Sequence, residues 1–139
     1  MDIKNVVVAG GGVLGSQIAF QAAYCGFNVT IWLRSEASIG RTQPKLDNLK
    51  KVYIDTINLM ATKEGQIPQN WANGIADFET FDKDKCLTQV ESAYNGIKLE
   101  LDMKKAVADS DLVIESMAED VEQKIEFYKK LAPLMPEKT

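Results

Sequence analysis

Apolar residues follow two rhythms along this chain. In the first they come as short unbroken runs. Ile3–Ala9 sets Val6, Val7 and Val8 side by side, and Asn28–Leu33 is rich in β-branched and aromatic residues. A run without alternation is the pattern of a strand buried on both faces, so both stretches, and Leu112–Ile114, are predicted as buried strands. Ile97–Leu101 alternates strictly and reads as a half-exposed or edge strand. In the second rhythm apolar residues recur at steps of three and four. That spacing predicts helices over Val13–Cys25, from Pro44 to about Lys63, from about Asp82 to Tyr94, over Met103–Ala108 behind Asp102 as N-cap, and over Glu119–Met135. Pro44 suits a first helical turn, and Leu46, Leu49, Tyr53, Ile57 and Met60 then form one apolar stripe. In the last helix Ile125, Tyr128, Leu131 and Met135 are expected inward. Arg34–Thr42 reads as a polar loop. Gln66–Phe81 reads as a long connection whose Trp71, Phe78 and Phe81 need a surface to cover.

The junction between the first strand and first helix carries the chemistry. Gly10, Gly12 and Gly15 fall in the G-x-G-x-x-G spacing of a dinucleotide-binding turn. The first glycine permits the tight turn, the second lets backbone approach a pyrophosphate, and the third lets the helix press on the strand. Free N–H groups and the positive dipole end of the helix then face the phosphates. Glycine-rich turns also serve packing alone, but a strand before and a helix after are the context a phosphate turn requires. The segment from Gly10 through Gly11, Gly12, Val13 and Leu14 to Gly15 is therefore the candidate cofactor contact. Strand, turn, helix and strand together fill about thirty residues, the size of one βαβ unit. The fold class is α/β, a Rossmann-type doubly wound parallel sheet with a helical pair inserted after the second strand. No internal repeat or linker interrupts it, so residues 1–139 read as one dinucleotide-binding domain.

An acidic residue normally ends the second strand of such a unit and accepts hydrogen bonds from the adenosine ribose. Here that position holds Leu33, followed by Arg34 and Ser35. Leucine cannot accept the bond. A guanidinium could pair with a 2′-phosphate, with the hydroxyl assisting, which makes NADP possible beside NAD. The alternative is that Arg34 is a solvated charge and the ribose is held loosely.

Composition narrows the classes further. With 45% hydrophobic and 26% charged residues the chain is an ordinary globular one. Its net charge of −4 argues against nucleic acid as partner. No apolar stretch is long enough to span a membrane, and no signal segment is visible, so the cytoplasm is the default. Cys25 and Cys86 have no metal or redox spacing and read as reduced thiols. The chain contains no histidine, the usual acid–base group near neutral pH, so no catalytic residue is assigned within it.

A second signature runs from Ala108 to Lys124, containing Asp111-Leu112-Val113-Ile114-Glu115 and then Glu119-x-x-x-x-Lys124. It resembles the strand and helix of the 3-hydroxyacyl-CoA dehydrogenase NAD-binding domain, and the glycine turn and helical pair fit the same family. The resemblance covers the whole chain, with Arg34–Asn95 matched by arrangement rather than motif. It implies NAD as cofactor, an acyl-CoA substrate, and hydride transfer between 3-hydroxyacyl-CoA and NAD(P). It also implies that Ala118, Glu119 and Lys124 lie beside the nicotinamide ribose. Each charged residue has a local alternative: Ser116-x-x-Glu119 is a capping box, and Lys124 stands four residues after Asp120 as an ion-pair partner. The helical pair is where the family receives CoA, so Lys45, Lys50 and Lys51 could face its phosphates or simply form a solvated face. Two residues depart from the family pattern: Leu33 replaces the acidic ribose contact, and Gln17 stands where a glycine is common. The family's catalytic histidine–glutamate pair, and the helical domain that mediates dimerisation, fall after residue 139. The chain is thus expected to be an N-terminal portion, inactive alone. Two other readings stay open: a β-hydroxyacid dehydrogenase acting on a free acid, and a non-catalytic dinucleotide-sensing module.

Overall fold

A computed structural model describes residues 2–139. Four parallel strands form the sheet in the order β3-β2-β1-β4, with β1 at Asn5–Ala9, β2 at Asn28–Trp32, β3 at Lys98–Glu100 and β4 at Leu112–Glu115. The unbroken valine run is explained by burial on both sides. Val6 and Val8 point into a core under helices α1 (Val13–Tyr24), α2 (Glu36–Met60) and α3 (Lys83–Gly96), whereas Val7 and Ala9 point into a second core under α4 (Met103–Val107) and α5 (Val121–Leu131). Period-two alternation of Cβ direction turns one continuous apolar run into two half-cores.

The topology locates the functional crevice. From β1 the chain moves outward to β2 and β3, then returns to place β4 on the other side of β1. Direction reverses at β1, so the crevice outside its carboxyl end is the topological switch point, where α/β sheets bind ligands. Gly10 is the residue that follows β1.

Several elements differ from expectation. Arg34–Thr42 is not a loop: α2 begins at Glu36, with Ser35 as N-cap accepting from the Ser38 N–H. Pro44 therefore lies inside the helix, opposite the carbonyl of Gly40, rather than in its first turn. A serine cap followed by an acidic first residue outweighs the proline signal. The stripe itself is as expected, with Leu46, Ile57 and Met60 buried and Leu49 and Tyr53 half-buried. α2 ends at Met60, and Gly65 folds back so closely that a Cβ on it would lie 1.9 Å from the Leu59 carbonyl oxygen. β4 is the edge of the sheet among the described residues and is half-exposed rather than buried. In α5, Ile125 and Tyr128 are 49% and 50% exposed instead of inward, while Phe127 and Leu131 are buried. The Phe127 ring packs on Trp32 of β2 with centroids 5.4 Å apart. That contact sets the roll of the helix and turns Ile125, two residues away, to the opposite face.

The long connection is ordered as expected. Trp71 is buried, makes edge contacts with Phe78 and Phe81, and donates from its indole N–H to the Ala76 carbonyl at 2.7 Å. The Gln21 amide and Tyr24 hydroxyl of α1 donate to Gly74 and Ile75, tying the connection down. α2 and α3 form the inserted pair, joined where Lys50 meets Glu91 at 3.1 Å and lies 4.6 Å over the Tyr94 ring.

Candidate dinucleotide site

The turn after β1 is held from both sides. The Gly10 N–H donates to the Trp32 carbonyl and the Ser116 N–H to the Ala9 carbonyl, so the β2 and β4 ladders both extend to the turn. Gly10 has φ +116°, and a Cβ there would lie 2.6 Å from the Ser116 carbonyl oxygen; only glycine meets both demands. A Cβ on Gly15 would lie 2.2 Å from the Gly10 oxygen, so the first turn of α1 rests directly on the glycine loop. Gly12 differs. It is the N-cap of α1, its φ is an ordinary −70°, and a Cβ on it would meet nothing within 4 Å. Nothing in the protein requires a glycine at that position. No side chain caps α1 and no acidic residue stands in its first turn, which leaves the N–H groups of that turn available to an anion. Val13 and Leu14 there are 67% and 62% exposed.

Gly11, a variable position of the motif, is constrained as tightly as the named glycines. A Cβ on it would lie 2.1 Å from the Thr42 Oγ1 and 2.7 Å from the Leu33 Cδ2. The Gly11 carbonyl accepts from two buried hydroxyls, Thr42 of α2 at 3.0 Å and Ser16 of α1 at 3.1 Å. Thr42 was not among the expected site residues. It stands four before Leu46, so extending the α2 stripe one turn upstream would have reached it.

A cleft of about 220 Å³ opens over this turn. Its floor is Gly10–Gly12 and one wall is Ser116, Met117 and Ala118. The other wall comes from the end of β2 and the face of α2 that carries Ser38, Arg41, Thr42 and Lys45. Leu33 lines the cleft but is buried against Gly11. Arg34 is exposed at the mouth, and its Nη1 donates to the Gln123 Oε1 of α5 at 2.9 Å. Ser35 lies outside the lining, its hydroxyl spent on the cap of α2.

A sequence profile described as "3-hydroxyacyl-CoA dehydrogenase, NAD binding domain" matches residues 5–139. The chain belongs to this family. Among its relatives is a protein from Bacillus subtilis (strain 168) named "Probable 3-hydroxybutyryl-CoA dehydrogenase", 30% identical over all of this chain and 39% of its own length. The human "Hydroxyacyl-coenzyme A dehydrogenase, mitochondrial" is 27% identical over 99% of this chain and 37% of its own. A solved structure titled "Substrate-directed dual catalysis of dicarbonyl compounds by diketoreductase" superposes with a TM-score of 0.74 at 34% identity, covering all of this chain and 40% of the other. The chain thus spans about two fifths of the length of the relatives it matches.

The family's cofactor fits the residues present. The open space above Gly12 admits a pyrophosphate where a side chain would exclude it, and the uncapped first turn of α1 supplies donors. At the other rim, the two residues that the resemblance assigns to the nicotinamide ribose stand together. The Lys124 Nζ lies 2.9 Å from Glu119 and 3.5 Å from the Glu115 carboxylate. The hydrogen bond it donates to the Glu119 carboxylate is the main reason its ammonium is held above the usual lysine range, so Lys124 is a fixed cation at neutral pH. The local alternatives for both residues fail. The N-cap of α5 is Asp120, which accepts from the Gln123 N–H, so the Ser116–Glu119 capping box does not form. Lys124 pairs with the two glutamates rather than with Asp120. Glu119 is instead almost fully exposed, its side chain 92% accessible. Of the lysines considered for CoA, Lys45 lines the dinucleotide cleft, Lys50 is engaged by Glu91 and Tyr94, and Lys51 is exposed. No helix among the described residues is long and apolar enough to cross a membrane.

Proposed function

We propose that this chain holds a nicotinamide dinucleotide across the carboxyl end of β1, with its pyrophosphate on Gly11, Gly12 and the N–H groups of Val13 and Leu14. The unfilled space above Gly12 carries this reading, because no packing demand accounts for a glycine there. The adenosine ribose lies toward Leu33 and Arg34, and the nicotinamide ribose toward Ala118, Glu119 and Lys124. NAD(H) is the family's cofactor. NADP(H) is also admitted, since no carboxylate at the Leu33-Arg34-Ser35 corner repels a 2′-phosphate. The nicotinamide, when bound, supplies the hydride acceptor or donor. The residues of this chain bind and orient it: Lys124, charged and braced by Glu115 and Glu119, fixes the ribose rim rather than moving a proton.

In the whole protein the reaction is hydride transfer between a 3-hydroxyacyl-CoA and NAD(P). This chain has no histidine, so the proton-accepting group belongs outside residues 1–139 in this reading, and the family resemblance places the dimer contact there as well. The free thiols of Cys25 and Cys86 suit a reducing compartment such as the cytoplasm. A second reading, reduction of a dicarbonyl compound or free keto acid without CoA, is favoured by the 34% identity to the diketoreductase structure and by Lys50 being already engaged. Calorimetric titration with NADH tests the binding; no saturable heat overturns it. NADH oxidation by the full-length protein, with acetoacetyl-CoA against free acetoacetate, separates the two substrates.

A further inference from the structure

The cleft wall contributed by α2 has a charge pattern that the dinucleotide turn does not explain. Ser38, Arg41, Thr42 and Lys45 are spaced three, four and seven residues apart and so share one helix face. Thr42 fixes that face over the glycine turn through Gly11. Arg34, Arg41 and Lys45 line the cleft, and among the described residues no carboxylate does, although the chain as a whole carries four more acids than bases. The acidic residues of α2 are turned elsewhere: Glu36, Asp47 and Asp55 are absent from the lining, and Asp47 is taken by Gln43 and Tyr94.

The cations are also prepositioned differently. Arg34 donates from one amino group to the Gln123 Oε1 at 2.9 Å, which ties it across the mouth to α5 rather than along the α2 wall. Arg41 instead donates from one amino group to the Ser38 hydroxyl at 3.0 Å, and Ser38 in turn meets Ser35 at 3.2 Å. This holds the guanidinium against the cleft wall with its other donors free. Lys45 anchors to the Arg41 carbonyl at 3.1 Å. A guanidinium oriented by one neutral hydroxyl, beside a second cation and with no competing carboxylate, is an arrangement for a phosphomonoester dianion.

We infer that α2 carries the recognition site for a 2′-phosphate on the adenosine ribose, with Arg41 and Ser38 as its specificity-determining residues and Lys45 as the supporting cation. The inference rests on the dinucleotide reading above and moves the phosphate grip from the Arg34–Ser35 corner to the helix face. Arg34 and Gln123 then bridge the mouth beside the bound cofactor.

The test measures dissociation constants for NADPH and NADH, with adenosine 2′,5′-bisphosphate and 5′-AMP as competitors. NADPH is expected to bind roughly tenfold or more tightly than NADH, as one additional charge-assisted contact would give. The bisphosphate should compete and 5′-AMP compete poorly. Arg41→Ala should lower the NADPH-to-NADH affinity ratio by about tenfold, and Arg41→Lys should recover part of it. Arg41 is exposed, so the variant should fold, with the melting temperature as control. Equal affinities in the parent protein overturn the inference. So does an Arg41→Ala variant that loses both nucleotides equally, which would make the contact one with the shared pyrophosphate. An Arg34→Ala variant that abolishes the preference while Arg41→Ala keeps it returns the grip to the end of β2. Binding of neither nucleotide overturns the dinucleotide reading itself.

Discussion

Replacing Gly12 by alanine separates a glycine kept for a ligand from glycines kept for the fold. Its backbone, at φ −70° and ψ −168°, is open to any residue, and the new methyl group would meet nothing within 4 Å. Two small terms oppose each other. Alanine is a poorer N-cap than glycine, but it also reduces the freedom of the unfolded chain by about 0.4–1 kcal/mol. Net stability should therefore change by less than about 1 kcal/mol, a melting shift of no more than roughly 4 °C for a domain of this size. The pyrophosphate meets a different situation. The methyl occupies the space through which it would approach the uncapped first turn of α1, and each charge-assisted hydrogen bond lost there costs about 1.5–3 kcal/mol. Losing one weakens NADH by about ten- to 150-fold, and losing two weakens it further. Gly15→Ala is the contrast: its Cβ would fall 2.2 Å from the Gly10 oxygen, backbone against backbone, so it should destabilise by about 3 kcal/mol or more. Calorimetry with NADH and thermal melting of the same samples read the two effects separately. A Gly12→Ala protein that binds NADH within twofold of the parent would refute the argument that the open space is a phosphate path.

Thr42→Val removes one of the two hydroxyls on the Gly11 carbonyl and leaves the Ser16 hydroxyl in place. The cost should be about 1 kcal/mol, read as a melting temperature lower by roughly 3–5 °C, while Thr42→Ser retains most of the parent value; a valine variant as stable as the parent would remove Thr42 as a brace of the turn. Asp111 accepts from the Lys4 and Asn5 N–H groups and pairs with Lys138 at 3.0 Å, and with those hydrogen bonds as the main cause its carboxyl is lowered to about 2. A pKa lowered on folding contributes stability that is present above the unfolded value near 3.8 and is lost as pH falls through about 2. Melting temperature should fall between pH 4 and 2, and the gap between parent and Asp111→Asn should narrow over the same range; a constant gap would detach this carboxylate from acid unfolding.

What the sequence made legible follows the reach of each signal. β1, the glycine turn and α1 are local: a two-sided valine run, a fixed glycine spacing and a helical stripe each follow from neighbouring residues, and all three formed as expected. The misread elements depend on contacts made far along the chain. Which face of α5 is inward was decided by Phe127 meeting Trp32, a partner that no helical period can reveal. The start of α2 was hidden because proline is the louder local signal, although Ser35 and Glu36 supplied a cap upstream. That single boundary error hid Ser38, Arg41 and Thr42, most of one cleft wall. Once α2 begins at Glu36, Ser38, Arg41 and Thr42 leave the expected loop and join Lys45 on one helix face. The buried Thr42 hydroxyl then joins that face to the carbonyl of Gly11. In the proposed reading the glycine turn receives the pyrophosphate, and the wall inferred to discriminate between dinucleotides belongs to the helix that the proline concealed. Cofactor choice in this chain is therefore to be sought on α2 as much as at the end of β2.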